Sequence, residues 1–161
     1  MVPQYTGNME LLKMQKVAFL ASGTISTQSV LRCYDWATQQ CNNGVCVVSG
    51  FHSKLEQDTL HLLLQTQCPV IWVIARKMYK NISDKLQQAF EGNRLLIISV
   101  SSQSRQSVQS CAERNKYILH LADKIVFASI NPNSSLHPLL KEVKDIGKEI
   151  NIIEMGNQAM E

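Results

Sequence analysis

The sequence predicts an α/β domain built on a doubly wound, mainly parallel sheet with helices on both faces. Three observations carry that expectation. Short, continuous apolar runs recur along the chain. Amphipathic stretches of helical spacing separate them, and Gly, Pro or Asn stands at several of the changeovers. A strand that is apolar throughout is buried on both sides, as happens when helices cover both faces of a parallel sheet. Right-handed crossovers between such strands distribute the helices over the two faces.

The elements follow in order. Lys16–Ala21 is the first strand of this pattern. Ser22–Gly23–Thr24 turn the chain, and Thr24 or Ser26 caps a helix over Gln28–Gln40, where Val30, Leu31, Tyr34 and Ala37 share a face. Asn42–Asn43–Gly44 end that helix, with Gly44 suited to a left-handed cap. Val45–Ser49 is the second strand, closed by Gly50. Leu55–Gln65 is helical, Pro69 breaks the pattern, and Val70–Ala75 is the third strand. Ser83 caps a helix reaching Glu91, and Gly92–Asn93 turn into the fourth strand, Arg94–Val100. A long helix over Gln103–Leu121 leads to the fifth strand, Lys124–Ala128. A final helix, Ser135–Ile146, stops at Gly147, and Glu149–Ile153 is the sixth strand. No linker or repeat divides the chain. The expectation is one domain over residues 1–161, with a core at about 5–153 and a frayed end from Gly156.

Composition narrows the function classes. The 161 residues are 45% hydrophobic and 18% charged, which suits a packed globular core. Sixteen Lys and Arg against thirteen Asp and Glu give a net charge of +3, and the pI is near 8.6. That falls below the pI of about 9 typical of dedicated nucleic-acid domains, so any cationic site must come from local clustering. The apolar runs Val70–Ala75 and Leu95–Val100 are far shorter than the roughly 18 residues of a membrane span. The N-terminus lacks the basic and apolar regions of a secretory signal. Five cysteines (Cys33, Cys41, Cys46, Cys68, Cys111) contain no C-x-x-C pair and read as reduced thiols of a cytoplasmic protein. No disulfide, metal site or cofactor is expected.

In open parallel sheets ligands bind beyond the carboxyl ends of the strands, where strand order reverses. The segments that follow the strands are rich in hydroxyls, glycine and cations. They contain Ser22, Gly23, Thr24 and Ser26; then Ser49, Gly50, His52 and Lys54; then Arg76 and Lys77. After the fourth strand come Ser99, Ser101, Ser102 and Arg105, and after the fifth Asn131, Asn133, Ser134 and Ser135. Helix N-termini, hydroxyls and Lys or Arg together make an anion site. Polar loops are general, and about half of these residues need no further reason.

Several blocks, in order, resemble the DprA/Smf DNA-processing family. Gly7–Asn8–Met9–Glu10–Leu11–Leu12 is similar to its "G-N-x-E-L-L" lead-in, and Val47–Val48–Ser49–Gly50–Phe51 to its "V-V-S-G-L/F" strand end. Arg114–Asn115–Lys116 resembles its "R-N-R", Leu121–Ala122–Asp123–Lys124–Ile125–Val126 its "L-S/A-D-x-V-V", and Ser134–Ser135–Leu136 its "S-G-S-L". The resemblance spans about residues 5–153. It implies an extended Rossmann-like fold in a bacterial protein that binds single-stranded DNA without catalysis during DNA uptake and recombination. It also implies a RecA-type recombinase partner and a homodimer.

The departures are specific. The family's "G-S-R" is Ala21–Ser22–Gly23 here, so its phosphate-facing cation is missing. In the second block Lys54 stands for Gly, Glu56 for Asp and Leu60 for His. Lys116 keeps the charge of the last "R-N-R" arginine but loses its bidentate fork. The phosphate or nucleic-acid residues expected are Ser22, Gly23, Thr24, Ser49, Gly50, Lys54, Arg76, Arg114, Asn115, Lys116, Ser134 and Ser135. For Arg114 the plainer alternative is a solvated helix face or an ion pair, and for Lys54 a solvated cation. Trp36 and Trp72 read as core residues. Tyr79 and Phe51 fall nearer the crevice edge, where a ring either stacks on a base or seals the core. No nucleophile motif, P-loop or G-x-G-x-x-G is present, the four histidines are scattered, and Glu56 has no visible partner for acid–base work. A nucleoside monophosphate phosphoribohydrolase of the same fold would carry "P-G-G-x-G-T-x-x-E", which is absent. The competing reading is a sensor or carrier that holds a nucleotide or other phosphorylated small ligand in the same crevice.

Overall fold

A computed structural model describes residues 2–22, 25–130 and 134–154; residue 1, Gly23 and Thr24, residues 131–133 and the residues from 155 lie outside the described residues. The chain forms β1 (Gln4–Gly7), a 3-10 helix (Met9–Lys13), β2 (Lys16–Leu20), α1 (Thr27–Asn42), β3 (Cys46–Ser49) and α2 (Lys54–Gln65). There follow β4 (Val70–Ile74), α3 (Asp84–Glu91), β5 (Leu95–Ser99), α4 (Val108–Leu121), β6 (Lys124–Phe127), α5 (His137–Asp145) and β7 (Glu149–Ile152). The strands lie side by side in the order β1-β5-β4-β3-β2-β6-β7. Every neighbouring pair is parallel except β1 with β5. The chain builds outward from β2 to β5, then returns past β2 to add β6 and β7, so strand order reverses between β2 and β6.

Alternate residues of each strand feed two cores. Val17 and Phe19 of β2, with Leu95 and Ile97 of β5, face Trp36, Leu63 and Leu86 of the first three helices. Ala18 and Leu20, with Leu96 and Ile98, face Ile118 and Leu119 of α4, Val143 of α5 and Leu11 of the 3-10 helix. Phe19 stacks on Trp36 with ring centroids 5.1 Å apart. Each of the large apolar side chains among them gains about 1.5–3 kcal/mol from burial, which outweighs local helix or strand propensity. The doubly wound sheet read from the sequence is therefore the fold the chain adopts.

Two elements differ from the sequence expectation. Gln4–Gly7 is an additional edge strand, paired antiparallel with β5 from Gln4 opposite Ser99 to Gly7 opposite Leu96. Its residues are mostly exposed, so no apolar pattern announces it. It closes on Gly7, whose φ of 122° and close approach to the Leu95 carbonyl exclude a side chain. Asn8 then caps the 3-10 helix by accepting from the Glu10 amide and donates 2.9 Å to the Asn93 carbonyl. The second difference is α4, which begins at Val108 instead of Gln103. Residues 102–107 carry no apolar side chain and are exposed, so nothing there could be buried by a further turn. Ser107 and Ser110 close the start reciprocally, each hydroxyl accepting from the other's amide at 3.0 and 2.8 Å.

Lys148, just before β7, closes the other end of α4. Its ammonium donates to the carbonyls of Leu119, His120 and Ala122 at 2.6–2.7 Å, groups that the helix itself leaves unpaired.

Candidate functional site

The end of β3 is built around a glycine that needs space and not an unusual φ. Ser49 is fully buried and its hydroxyl accepts from the Phe51 amide at 3.1 Å, folding the chain back. Phe51 takes a φ of 43° and turns its ring into the core. Between them, Gly50 is flanked on two sides. Its carbonyl accepts from Trp72 Nε1 at 3.0 Å. Against its Cα lies the Arg114 side chain, and a Cβ at Gly50 would stand 2.7 Å from Arg114 Nε and 2.9 Å from Cζ.

Arg114 reaches this position from the second turn of α4 and is only 7% exposed. Nε and Nη2 both donate to Asn115 Oδ1, at 3.3 and 3.2 Å, so the neighbouring amide steadies the guanidinium. Among the described residues no carboxylate pairs with it. A desolvated guanidinium without a counter-charge costs several kcal/mol in order-of-magnitude terms, a cost that an incoming anion removes.

Arg114 and Gly50 stand at one side of a cleft of about 830 Å³. Its apolar lining comes from Leu60 and Leu64 of α2, Trp72 and Ile74 of β4, Tyr79, and Leu86 of α3. Arg76, Lys85, Arg105 and Arg114 supply four cations to the lining, and no Asp or Glu is present in it. The aromatic wall is ordered. Trp72 and Tyr79 have centroids 5.4 Å apart at 31°, and the Arg76 guanidinium lies 4.4 Å over the Tyr79 ring. His52 and His61 stand at the rim, His52 within hydrogen-bond distance of the Gln106 amide at 3.1 Å.

The point of strand reversal is a different place. There Ala21, Ser22, Ile25, Ser53, Lys54 and Ala128 enclose only about 50 Å³. Ser134 donates to the Ser22 hydroxyl at 3.4 Å. Beneath it Glu56, 5% exposed, accepts three backbone amides: Ala21 at 3.1 Å, His52 at 2.9 Å and Ser53 at 3.0 Å. That carboxylate ties the end of β2 to the loop after β3 and closes a capping box on Ser53.

The structure thus divides the residues expected from the sequence. Gly50, Arg76 and Arg114 share the large cleft, with Asn115 behind Arg114. Ser22, Lys54 and Ser134 belong to the strand reversal, and the exposed Lys54 ammonium turns along its own helix to Asp58 at 2.8 Å. Ser49 is internal, Lys116 and Ser135 are exposed and line neither cavity, and Gly23 and Thr24 lie outside the described residues. One aromatic reading changes, and for Phe51 the second of its two alternatives, sealing the core, is the one the structure shows. Trp72 is half-buried in the cleft wall, whereas Phe51 is 4% exposed and part of the core. The sequence reading did not select Trp72, Lys85 and Arg105 as site residues. Trp72 is hidden inside an apolar strand, Lys85 falls within a helix, and Arg105 stands among the residues that follow the fourth strand without being selected. A detectable signal was the close spacing of Trp72, Arg76 and Tyr79 across the end of one strand.

The model of the DNA recombination-mediator protein A family matches residues 2–154. No curated protein matches the chain. Among solved structures it is similar to DNA processing protein A from Streptococcus pneumoniae, at 24% identity and a TM-score of 0.74, covering 92% of this chain and 53% of that one. The chain therefore spans about half the length of that relative. DNA processing protein A from Helicobacter pylori, whose structure concerns a single-stranded DNA binding mode, gives 17% identity and 0.69 over 88% of this chain and 68% of its own. The molybdenum cofactor carrier protein from Chlamydomonas reinhardtii shares the fold at 11% identity and 0.57, over 85% and 74%.

Proposed function

The chain belongs to the DNA recombination-mediator protein A family, and from that membership we propose that it binds single-stranded DNA through its phosphates, without catalysis, in DNA uptake and recombination. The observation that carries this reading is Arg114: buried, steadied by Asn115, unpaired with any described carboxylate and facing a cleft whose lining holds cations and no acid. Such a cleft focuses positive potential although the whole chain carries only +3. The engagement of Glu56 by three scaffold amides supports a binding role, because that buried carboxylate already serves the backbone. The cytoplasm is the compartment this role requires, and a RecA-type recombinase and a second copy of the chain are the partners it proposes.

Fluorescence anisotropy of a labelled oligonucleotide at two salt concentrations tests the proposal. Neutralising one single-strand phosphate with each of the four cleft cations gives a log–log salt slope near about −3, at roughly −0.7 per phosphate. Arg114→Met should weaken binding across all sequences without lowering thermal stability, since it removes an uncompensated buried charge. Absence of binding at low salt, or an Arg114→Met protein that binds like wild type, rejects the reading. The volume of the cleft supports a second one, a carrier of a phosphorylated small ligand, because about 830 Å³ falls in the usual ligand-pocket range of roughly 300–1,000 Å³. Saturable thermal stabilisation by a mononucleotide, with no response to oligonucleotides, would select it.

A further inference from the structure

We propose that Cys41 and Cys68 are a reversible thiol–disulfide pair, which an oxidant of the peroxide class closes into a clamp between the C-terminal ends of α1 and α2. Neither residue lines the cleft, so the pair stands independently of any ligand there.

The ends of two helices bring these cysteines together. Cys41 occupies the last turn of α1, half-buried, and its thiol donates to the Thr66 carbonyl at 3.0 Å. Thr66 caps the end of α2, and Gln67 beyond it takes a φ of 59°. That left-handed residue folds the chain back under the helix, where the Cys68 amide donates to the Leu63 carbonyl at 2.9 Å. Cys68 is fully buried there, in the same core against which Cys41 packs. Its thiol meets the Cys41 thiol side chain to side chain, and it donates to the Val45 carbonyl across a long 3.9 Å. So weak a bond does little to stop the sulfur from turning toward its neighbour. The other cysteines are placed differently. Cys46 lies on β3 but faces the opposite core, and Cys33 is fully buried about two turns earlier on α1. Cys111 belongs to α4, with its thiol directed to Gln106 Oε1 at 3.7 Å.

The pair therefore joins one thiol that a small oxidant reaches to one that it does not. Burial first, and then the neighbouring Cys41 thiol, push the Cys68 thiol up to about 12, so Cys68 is a poor first target. Cys41 reacts first. Its thiolate attacks one oxygen of hydrogen peroxide: the S–O bond forms, the O–O bond breaks, and the departing hydroxide takes up the thiol proton as water. The Cys68 sulfur then attacks the sulfenic sulfur of Cys41. The S–S bond forms, the S–O bond breaks, and hydroxide leaves with the Cys68 proton as a second water. The two thiols lose two electrons and the peroxide gains them. A dithiol reductant reverses the change, as suits the conditional disulfides of a reducing compartment.

The test treats the full chain with hydrogen peroxide, unfolds it in a thiol-blocking agent and maps its peptides by mass. The expected product links Cys41 to Cys68 within one copy of the chain and leaves Cys33, Cys46 and Cys111 as blocked thiols. Closing the loop from residue 41 to residue 68 should raise the melting temperature by about 5–10 °C, and dithiothreitol should restore the starting value. Cys41→Ser should abolish both the link and the shift. Cys111→Ser removes the other half-buried thiol and should leave both in place. The wild-type map decides the pairing even where a variant fails to fold. A chain that stays fully reduced overturns the proposal, as does Cys41 oxidised to the sulfinic acid beside a reduced Cys68. A bond between two copies, or one from Cys68 to Cys33 or Cys46, overturns it equally. A Cys41–Cys68 link that leaves the melt unmoved overturns the clamp.

Discussion

Gly50→Ala should disarm the cleft while sparing the fold. The added methyl group would stand 2.7 Å from Arg114 Nε, 2.9 Å from Cζ and 3.0 Å from Cδ. Two of these separations are closer than real Cβ contacts occur and the third is at that limit, so one partner must move. Gly50 is tied through its carbonyl to Trp72, whereas the guanidinium is the far end of a flexible chain held, among the described residues, by Asn115. The arginine therefore swings out. Losing a charge-assisted hydrogen bond to a ligand phosphate costs about 1.5–3 kcal/mol, which is roughly a 10- to 150-fold loss of affinity. Stability should change by no more than the 1–3 kcal/mol or so of a small overpacking, and by less if the displaced arginine regains water. The assay pairs anisotropy on a labelled oligonucleotide with a thermal melt, in four proteins: wild type, Gly50→Ala, Arg114→Met and the double variant. If the glycine acts through the arginine, the second substitution adds almost nothing to the first, a coupling nearly equal to either single effect. Two additive losses, or wild-type affinity in Gly50→Ala, would refute the reasoning.

Three further outcomes follow from the structure. Glu56→Gln replaces one acceptor oxygen with an NH₂ group, leaving a buried amide unmet at a cost of about 1–3 kcal/mol; the melting temperature should fall by several degrees, at roughly 2–4 °C per kcal/mol. Lys148→Met removes the donor to three carbonyls at the end of α4, so amide exchange should accelerate at the junction of α4 and β6 before it does in β4 or β5. Burial pushes the thiols of Cys33, Cys46 and Cys68 up to about 12 from 9.0. The folded state thus keeps protons that the unfolded chain releases, so stability is complete below pH 9 and declines as pH rises from 9 to 12. Each thiol removes up to about 1.4 kcal/mol per pH unit there, a slope that urea titrations at pH 8, 9 and 10 would measure.

How much of this was legible in the sequence depended on whether a residue's role was local. Val70–Ile74 and Leu95–Ser99 announce themselves because burial on both faces demands apolar residues throughout. Gln4–Gly7 does not, because an edge strand draws its order from hydrogen bonds to β5 and presents mostly polar side chains. Gly50 and Arg114 were both visible as blocks of a familiar pattern, yet their contact across 64 positions of sequence was not. The crevice was expected where strand order reverses, as sheet topology suggests. There Glu56 and Ser134 draw the loops together, leaving about 50 Å³, while the larger opening lies over β4. Trp72 was read as core because hydropathy cannot distinguish a fully buried ring from one that stays half-buried at a cleft surface.

The cleft is also economical in its use of the chain. Every residue that lines it falls between Gly50 and Arg114, one uninterrupted stretch on a single side of the strand reversal. The strand-reversal pocket draws instead on residues 21–25, 53–55 and 128–129. A ligand preference written in residues 50–114 can therefore be rewritten, or exchanged between relatives as one cassette, without touching β2, β6 or β7. The two ends of that cassette are the glycine and the arginine that fit each other, so a graft that carries the arginine without the glycine should bring its own collision.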